Sequence, residues 1–179
     1  KEYTSTNLNV IASTLINLIP VWTNRIMSKD RETGVLLSDE DIQPDYPMEY
    51  YELLGMLDSQ EKDNIQNAII KLDELDITDD AKWIDLMMAE AYTLGFIDNR
   101  SESFLDAAKK ILEKNNFSNS IDIGYASYVR SLISFSTDNI DQALVNIKQA
   151  IKNDQSEKRY RTFHHKIRSD KLKRMTTNE

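Results

Sequence analysis

Histidine is a common metal ligand and the side chain that most readily exchanges a proton near neutral pH, and this sequence contains two, His164 and His165. A metal site would need further ligands at helical or hairpin spacing. The flanking residues supply no good ligand: Arg161, Thr162, Phe163 and Lys166. We therefore predict no metal at this pair and interpret both side chains as solvated members of a basic helix.

An acidic group in the segment 29–46 suggests calcium instead. Its members are Asp39, Glu40, Asp41 and Asp45. An EF-hand loop needs glycine at its sixth position and a bidentate glutamate at its twelfth. Counted from Asp39, these positions hold Pro44 and Tyr50. The calcium motif fails, and the segment is interpreted as a solvated acidic loop.

Motifs that would indicate an enzyme are missing from the sequence. It has no Gly-rich phosphate loop, no serine nucleophile elbow and no His-Glu-x-x-His. Because it has no cysteine, it has neither a thiolate zinc site nor a cysteine nucleophile. Paired carboxylates such as Asp79-Asp80 are explained by helix capping. We predict a non-enzymatic protein without a cofactor.

The composition favours helices. Only 4 glycines and 3 prolines occur in 179 residues, too few for the many turns of a sandwich or barrel. With 40% hydrophobic residues, a chain of this length can bury a core. The sequence therefore predicts an all-α fold of long helices joined by short polar turns.

Charge is divided unevenly along the chain. Residues 1–157 contain 14 Lys and Arg against 28 Asp and Glu, whereas residues 158–179 contain 8 against 2. The acidic body should repel nucleic acid, so we predict no direct nucleic-acid binding by it. The basic tail could contact phosphates, an anionic membrane or protein, and we favour docking on the acidic body or on a partner protein.

The N-terminal region is interpreted as an apolar helix, 1–28, followed by the acidic loop 29–46. An uncovered helix face at Leu15, Ile19 and Trp22 would favour a homodimer. No apolar run is long enough for a membrane span, and the absence of cysteine permits a reducing compartment, so a cytoplasmic location is expected. Because the chain begins at Lys1 rather than Met, we expect it to be a piece of a longer protein.

Helical periodicity is clearest in residues 139–151. Six apolar residues fall on one stripe, at offsets 0, 3, 4, 7, 10 and 11: Ile140, Ala143, Leu144, Ile147, Ala150 and Ile151. Asp138, before the run, and Asp141, three residues later, are predicted to cap the first turn of this helix. Similar stripes predict helices at 47–57, 61–76, 80–96, 102–114, 120–135 and 156–175. The first of these is built on Tyr51, Leu54 and Leu57. The stripe of Trp83, Met87, Met88 and Tyr92 is interpreted as core, with a partner-binding groove as the alternative.

An alanine recurs in every second helix. Ala68, Ala108 and Ala143 are 40 and 35 residues apart, a period typical of paired-helix solenoids. In the third helix pair, Ser131 lies in the first helix, and Ile147 and Ala150 follow Ala143 in the second. With these residues in place, the pair resembles the tetratricopeptide repeat. In the first pair, Gly55 takes the corresponding small position.

The resemblance implies that 47–153 forms three antiparallel helix pairs. They would stack as a short right-handed array, with the N-terminal helix and a basic C-terminal segment, 154–179, added at the ends. In such arrays the first helix of each pair lines the concave surface. The resemblance therefore implies that Glu90, Thr93, Tyr128 and Arg130 contact a partner, which would be another protein or a peptide segment.

A second resemblance involves residues 118–154 and the basic tail. They look like the C-terminal region of enteric invasion-gene transcription activators, which carry an OmpR-type winged helix at the other end of the chain. We therefore expect a protein-binding or regulatory module. One alternative is the effector or oligomerisation domain of a bacterial transcription activator that acts as a virulence regulator. The second alternative is a secretion chaperone.

Overall fold

A computed structural model describes residues 46–75 and 82–177. Every described residue belongs to one compact unit, which begins at Tyr46. The predicted N-terminal helix, with Leu15, Ile19 and Trp22, lies outside the described residues, as does the acidic group of the 29–46 loop.

All regular secondary structure in the described residues is α-helical, which confirms the predicted all-α class. The helices are α1 Met48–Ser59, α2 Lys62–Glu74, α3 Lys82–Asn99, α4 Glu102–Lys114, α5 Ser120–Ser136, α6 Ile140–Asn153 and α7 Lys158–Thr177. Their positions agree with the predicted segments to within a few residues.

The first six helices pack as three consecutive pairs: α1 with α2, α3 with α4, and α5 with α6. The pairs are joined through their first helices, since α3 contacts both α1 and α5. The second helix of the first pair also contacts α3, and α7 packs on α6. We call the surface formed by α1, α3 and α5 the first-helix face.

The recurring alanines mark where helices approach each other. Ala68, Ala108 and Ala143 each have no exposed surface. In the third pair, the buried Ser131 hydroxyl donates a hydrogen bond of 2.7 Å to the Ala143 carbonyl oxygen. A bulkier side chain at these positions would have to push the paired helices apart.

Glycines show the same close packing at two positions but not at a third. A Cβ atom added to Gly95 would lie 2.9 Å from the Phe104 ring on α4, and one added to Gly124 would lie 3.4 Å from the Ala150 carbonyl oxygen on α6. Gly55 is exposed, and a Cβ there would have no heavy atom within 4 Å. The small residue of the first pair therefore has no packing role.

Two local predictions were wrong by one residue. The cap of α6 is Asn139, whose side chain accepts a hydrogen bond from the Gln142 backbone N–H, whereas Asp138 has a left-handed backbone with φ of 66°. The buried face of α1 is formed by Tyr50, Leu53 and Leu57 rather than by Tyr51 and Leu54, which are half-buried. The aromatic cluster described below explains the choice of Tyr50 over Tyr51.

Candidate functional site

Two groups of aromatic side chains lie on the first-helix face, one at α1 and α3 and the other on α5. At the α1 end, Tyr46 stacks on Tyr50 with ring centroids 3.9 Å apart, and Trp83 of α3 meets the Tyr50 ring edge-on at 5.5 Å. On α5, the rings of Tyr125 and Tyr128 lie 6.3 Å apart. Each ring provides a large apolar contact area with few rotatable bonds.

The guanidinium group of Arg159, from the second residue of α7, lies on this face. Its Nη1 atom is 3.2 Å from Asp58 Oδ1 on α1 and 3.3 Å from both carboxylate oxygens of Glu90 on α3. The guanidinium carbon is 5.2 Å from the ring centroid of Tyr125 and 5.3 Å from that of Tyr128, within cation–π range. We call Asp58, Glu90, Tyr125 and Tyr128 the arginine pocket. Each of the three first helices contributes to it.

Glu90 is the deepest charged group of the pocket, with 2% of its surface exposed. Burial raises the pKa of its carboxyl group, while the neighbouring Arg159 charge and a hydrogen bond from Tyr125 oppose that rise. The Tyr125 hydroxyl donates this bond to Glu90 Oε2 at 2.5 Å. Because burial and the adjacent carboxylate both disfavour a phenolate, the pKa of Tyr125 lies well above its usual value. Tyr125 therefore stays protonated and serves as a hydrogen-bond donor to Glu90.

Arg159 fills the pocket imperfectly. Its contacts with Asp58 and Glu90 all use the single atom Nη1, whereas a side-on pair would use two nitrogens in parallel. Its Nε atom is buried and has no hydrogen-bond partner among the described residues, at 3.8 Å from Glu157 Oε1. A buried donor left without an acceptor is costly, so the pocket holds this arginine less well than its chemistry allows.

The rest of α7 fixes Arg159 in place through apolar contacts. Tyr160, Phe163 and Ile167 are buried on one side of the helix. Tyr160 and Phe163 lie with ring centroids 5.1 and 5.8 Å from that of Tyr128, and Phe163 also meets Phe135 edge-on. The basic tail therefore docks on the acidic body, one of the two arrangements that the charge division favoured.

Further along α7, ion pairs join the basic helix to the beginning of α6. Lys171 Nζ is 2.7 Å from Asp141 Oδ1, and Arg174 pairs with both Asp138 and Asp170. These side chains are largely exposed, so the pairs orient the helix but add little stability. The apolar stripe and the arginine pocket carry most of the attachment.

The four residues for which the sequence predicted partner contact do not form one surface. Glu90 and Tyr128 meet in the arginine pocket, covered by α7. Thr93 is fully buried and donates a hydrogen bond of 2.7 Å to the Ala89 carbonyl oxygen. Arg130 is exposed on the other side of α5. Contact with a partner stays a prediction for all four.

Arg130 lies at a second concave region, a polar groove of about 480 Å³. Its lining comes from α4, α5 and α6: Lys109, Leu112, Glu113, Asn115, Arg130, Ile133, Ser134, Gln142 and Asn146. Arg130 Nη2 donates a hydrogen bond of 3.3 Å to the Leu112 carbonyl oxygen, in the last turn of α4. The groove is separate from the arginine pocket and has few apolar anchors.

Sequence reasoning missed Arg159, because it assigned the tail's charges to solvent or to docking in general. One signal was available: Arg159 directly precedes Tyr160, the first residue of the apolar stripe of the tail. A charge beside a buried stripe is well placed to enter the same interface.

Metal binding finds no support in the described residues, among which no three His, Asp or Glu side chains converge on a common point. The rings of His164 and His165 lie 6.1 Å apart. His165 is exposed, as predicted, whereas His164 is half-buried. Burial and the positive charges of Arg168, His165 and Lys148 lower the pKa of His164.

No family model matches the chain, and no curated protein or solved structure is significantly similar to it. Within the described part of the chain, none of the helices is both long and apolar enough to traverse a bilayer.

Proposed function

We propose that this protein is a non-enzymatic protein-binding or regulatory module whose first-helix face binds an α-helical segment of another protein. The observation that supports this most directly is the seating of α7. One amphipathic helix already lies against this face and contributes a partly buried arginine and a pair of aromatic anchors. Binding of an amphipathic helix by its periodic anchors is a recurrent mode of protein recognition.

The side chains on this face suit binding better than catalysis. The Tyr125 and Tyr128 hydroxyls have pKa values raised by burial, and Glu90 is engaged by an arginine and a tyrosine. A general base needs access to its substrate proton, which a side chain 2% exposed does not have. Aromatic rings and a buried charge pair are the usual anchors of protein interfaces.

Site-directed photo-cross-linking tests the proposal. A benzophenone amino acid replaces Tyr46, a half-buried aromatic residue at the edge of the first-helix face, and as a control replaces Ile70, which is 48% exposed on α2. A third variant at Arg130 tests the polar groove. After irradiation in the native host, the captured protein is identified, purified and titrated against the intact chain.

The proposal predicts that a partner protein is captured from position 46 and not from position 70. It also predicts that this partner, once purified, binds the intact chain in titration. Equal capture from positions 46 and 70, or a captured protein that does not bind in titration, contradicts it. Capture from position 130 alone assigns binding to the groove instead. The partner also separates the narrower alternatives: a transcription component indicates an effector domain of an activator, whereas an apolar secreted client indicates a chaperone.

A further inference from the structure

We infer that the arginine pocket recognises an arginine on the partner helix, and that Arg159 occupies the pocket in its absence as a built-in competitor. This inference depends on the proposed function and specifies the chemistry of the ligand. Asp58 and Glu90 supply two carboxylates from different helices, and the Tyr125 and Tyr128 rings lie beside the bound cation.

The pocket suits a guanidinium group rather than an ammonium group. A planar guanidinium can stack on aromatic rings while its nitrogens contact separate carboxylates, whereas an ammonium is a compact charge that remains strongly hydrated. Arg159 already combines these two kinds of contact. The ligand is therefore expected to present arginine and to bind less well with lysine.

Arg159 is suited to be displaced because its own fit is incomplete. Its hydrogen bonds to the two carboxylates use Nη1 alone, and its buried Nε has no hydrogen-bond partner among the described residues. An incoming arginine, which is not constrained by the short connection from α6 to α7, can pair with Glu90 through two nitrogens. Charge-assisted pairs of that geometry are the stronger ones.

The way α7 is attached also indicates what should surround the arginine. Tyr160 follows Arg159 directly and Phe163 follows four residues later, and both rings pack beside Tyr128. A helix that replaces α7 must cover these same surfaces. The preferred ligand is thus an amphipathic helix with arginine followed by aromatic residues at the first and fourth positions.

Fluorescence anisotropy with a labelled peptide of residues 156–170 tests the inference. Three peptides are compared: the native sequence, Arg159→Gln, and Arg161→Gln as the control for loss of one positive charge. Each is titrated with the full chain, both wild type and Arg159→Gln, in which the resident arginine is removed. Circular dichroism establishes that the variant chain keeps its helical content, and Arg159→Lys replaces it if it does not.

Hydrogen bonds to charged groups correspond to about ten-fold or more in affinity. We expect the native peptide to bind the Arg159→Gln chain about ten-fold more tightly than the wild-type chain, because the competitor is gone. The Arg159→Gln peptide should lose about ten-fold in affinity, while the Arg161→Gln peptide stays within about two-fold of the native one.

Equal binding of the native and Arg159→Gln peptides overturns arginine recognition but leaves helix binding by this face intact. No binding of any peptide to either chain overturns the inference, while cross-linking from position 46 still decides the proposed function independently. Equal affinity of the native peptide for both chains overturns the role of Arg159 as a competitor.

Discussion

Replacement of Arg159 by methionine should destabilise the protein substantially, because it removes the cation and leaves the Glu90 carboxylate buried. Removing one partner of a buried ion pair costs about 3–5 kcal/mol. Two features of the pocket reduce that cost: Tyr125 still donates a hydrogen bond to Glu90, and burial already raises the pKa of Glu90, so proton uptake relieves part of the penalty. We therefore expect a loss of about 2–4 kcal/mol at pH 7.

The effect should depend on pH with a definite sign. Without Arg159 the pKa of Glu90 rises further, and each unit corresponds to about 1.4 kcal/mol. A carboxyl group whose pKa is higher in the folded state than in the unfolded state stabilises the fold at low pH and loses that contribution as the pH increases through the folded-state pKa. The stability of the Arg159→Met variant should therefore be closer to that of wild type at pH 5 than at pH 7.

Urea denaturation followed by far-UV circular dichroism measures these differences. Adding Glu90→Gln to Arg159→Met should recover about 1–2 kcal/mol, because the unpaired charge disappears while an acceptor for Tyr125 remains. The control is Arg161→Met, at an exposed position two residues along α7, with an expected effect of about 0.5 kcal/mol or less. The buried pair does not hold α7 as described if the free energy of unfolding of Arg159→Met is within about 1 kcal/mol of the wild-type value. The same conclusion follows if Glu90→Gln lowers the stability of Arg159→Met further.

Two further predictions concern packing and protonation. Gly55→Ala should stabilise the protein by about 0.5–1 kcal/mol because its Cβ enters open space, whereas Gly95→Ala should destabilise it by about 1–3 kcal/mol because its Cβ meets Phe104 at 2.9 Å. The urea midpoints of the two variants should therefore shift in opposite directions. Shifts of the same sign would contradict the assigned packing. His164, whose pKa is lowered in the folded state, should cost stability as the pH falls through about 6.5. Thermal melts at pH 7.5 and 5.5 should show less acid loss in His164→Gln than in wild type or in the exposed control His165→Gln, and equal loss in all three would exclude His164 as the source.

Much of the fold followed from local patterns. Helix positions could be predicted because the 3.6-residue recurrence of apolar residues depends on the helix itself and not on its neighbours. Ala68, Ala108 and Ala143 could be identified as contact positions because close helix packing requires a small side chain. The register of α1 could not be predicted, since Tyr50 and Tyr51 are equally suited to burial until Tyr46 and Trp83 provide a stack for one of them.

The candidate site, like the register of α1, could not be predicted from the sequence. Glu90 and Tyr128 were singled out by position within a repeat, but their meeting point depends on Arg159, which is 69 residues from Glu90 in the sequence. Local periodicity contains no information on which helix a tail covers, so the sequence assigned the tail a charge and a helix but no binding place. That Arg130 faces a different groove from Tyr128, two residues earlier, likewise follows from helix rotation and the packing of α4 against α5 and α6.

Composition and periodicity are local properties, and they were enough to predict an all-α protein with small residues at the helix contacts and with opposite charges on its body and tail. The position of one tail arginine, between carboxylates of α1 and α3 and beside two tyrosines of α5, depends instead on how the helices pack. A buried charge is tolerated only where several distant partners converge, and convergence is a property of the packed helices rather than of any one of them.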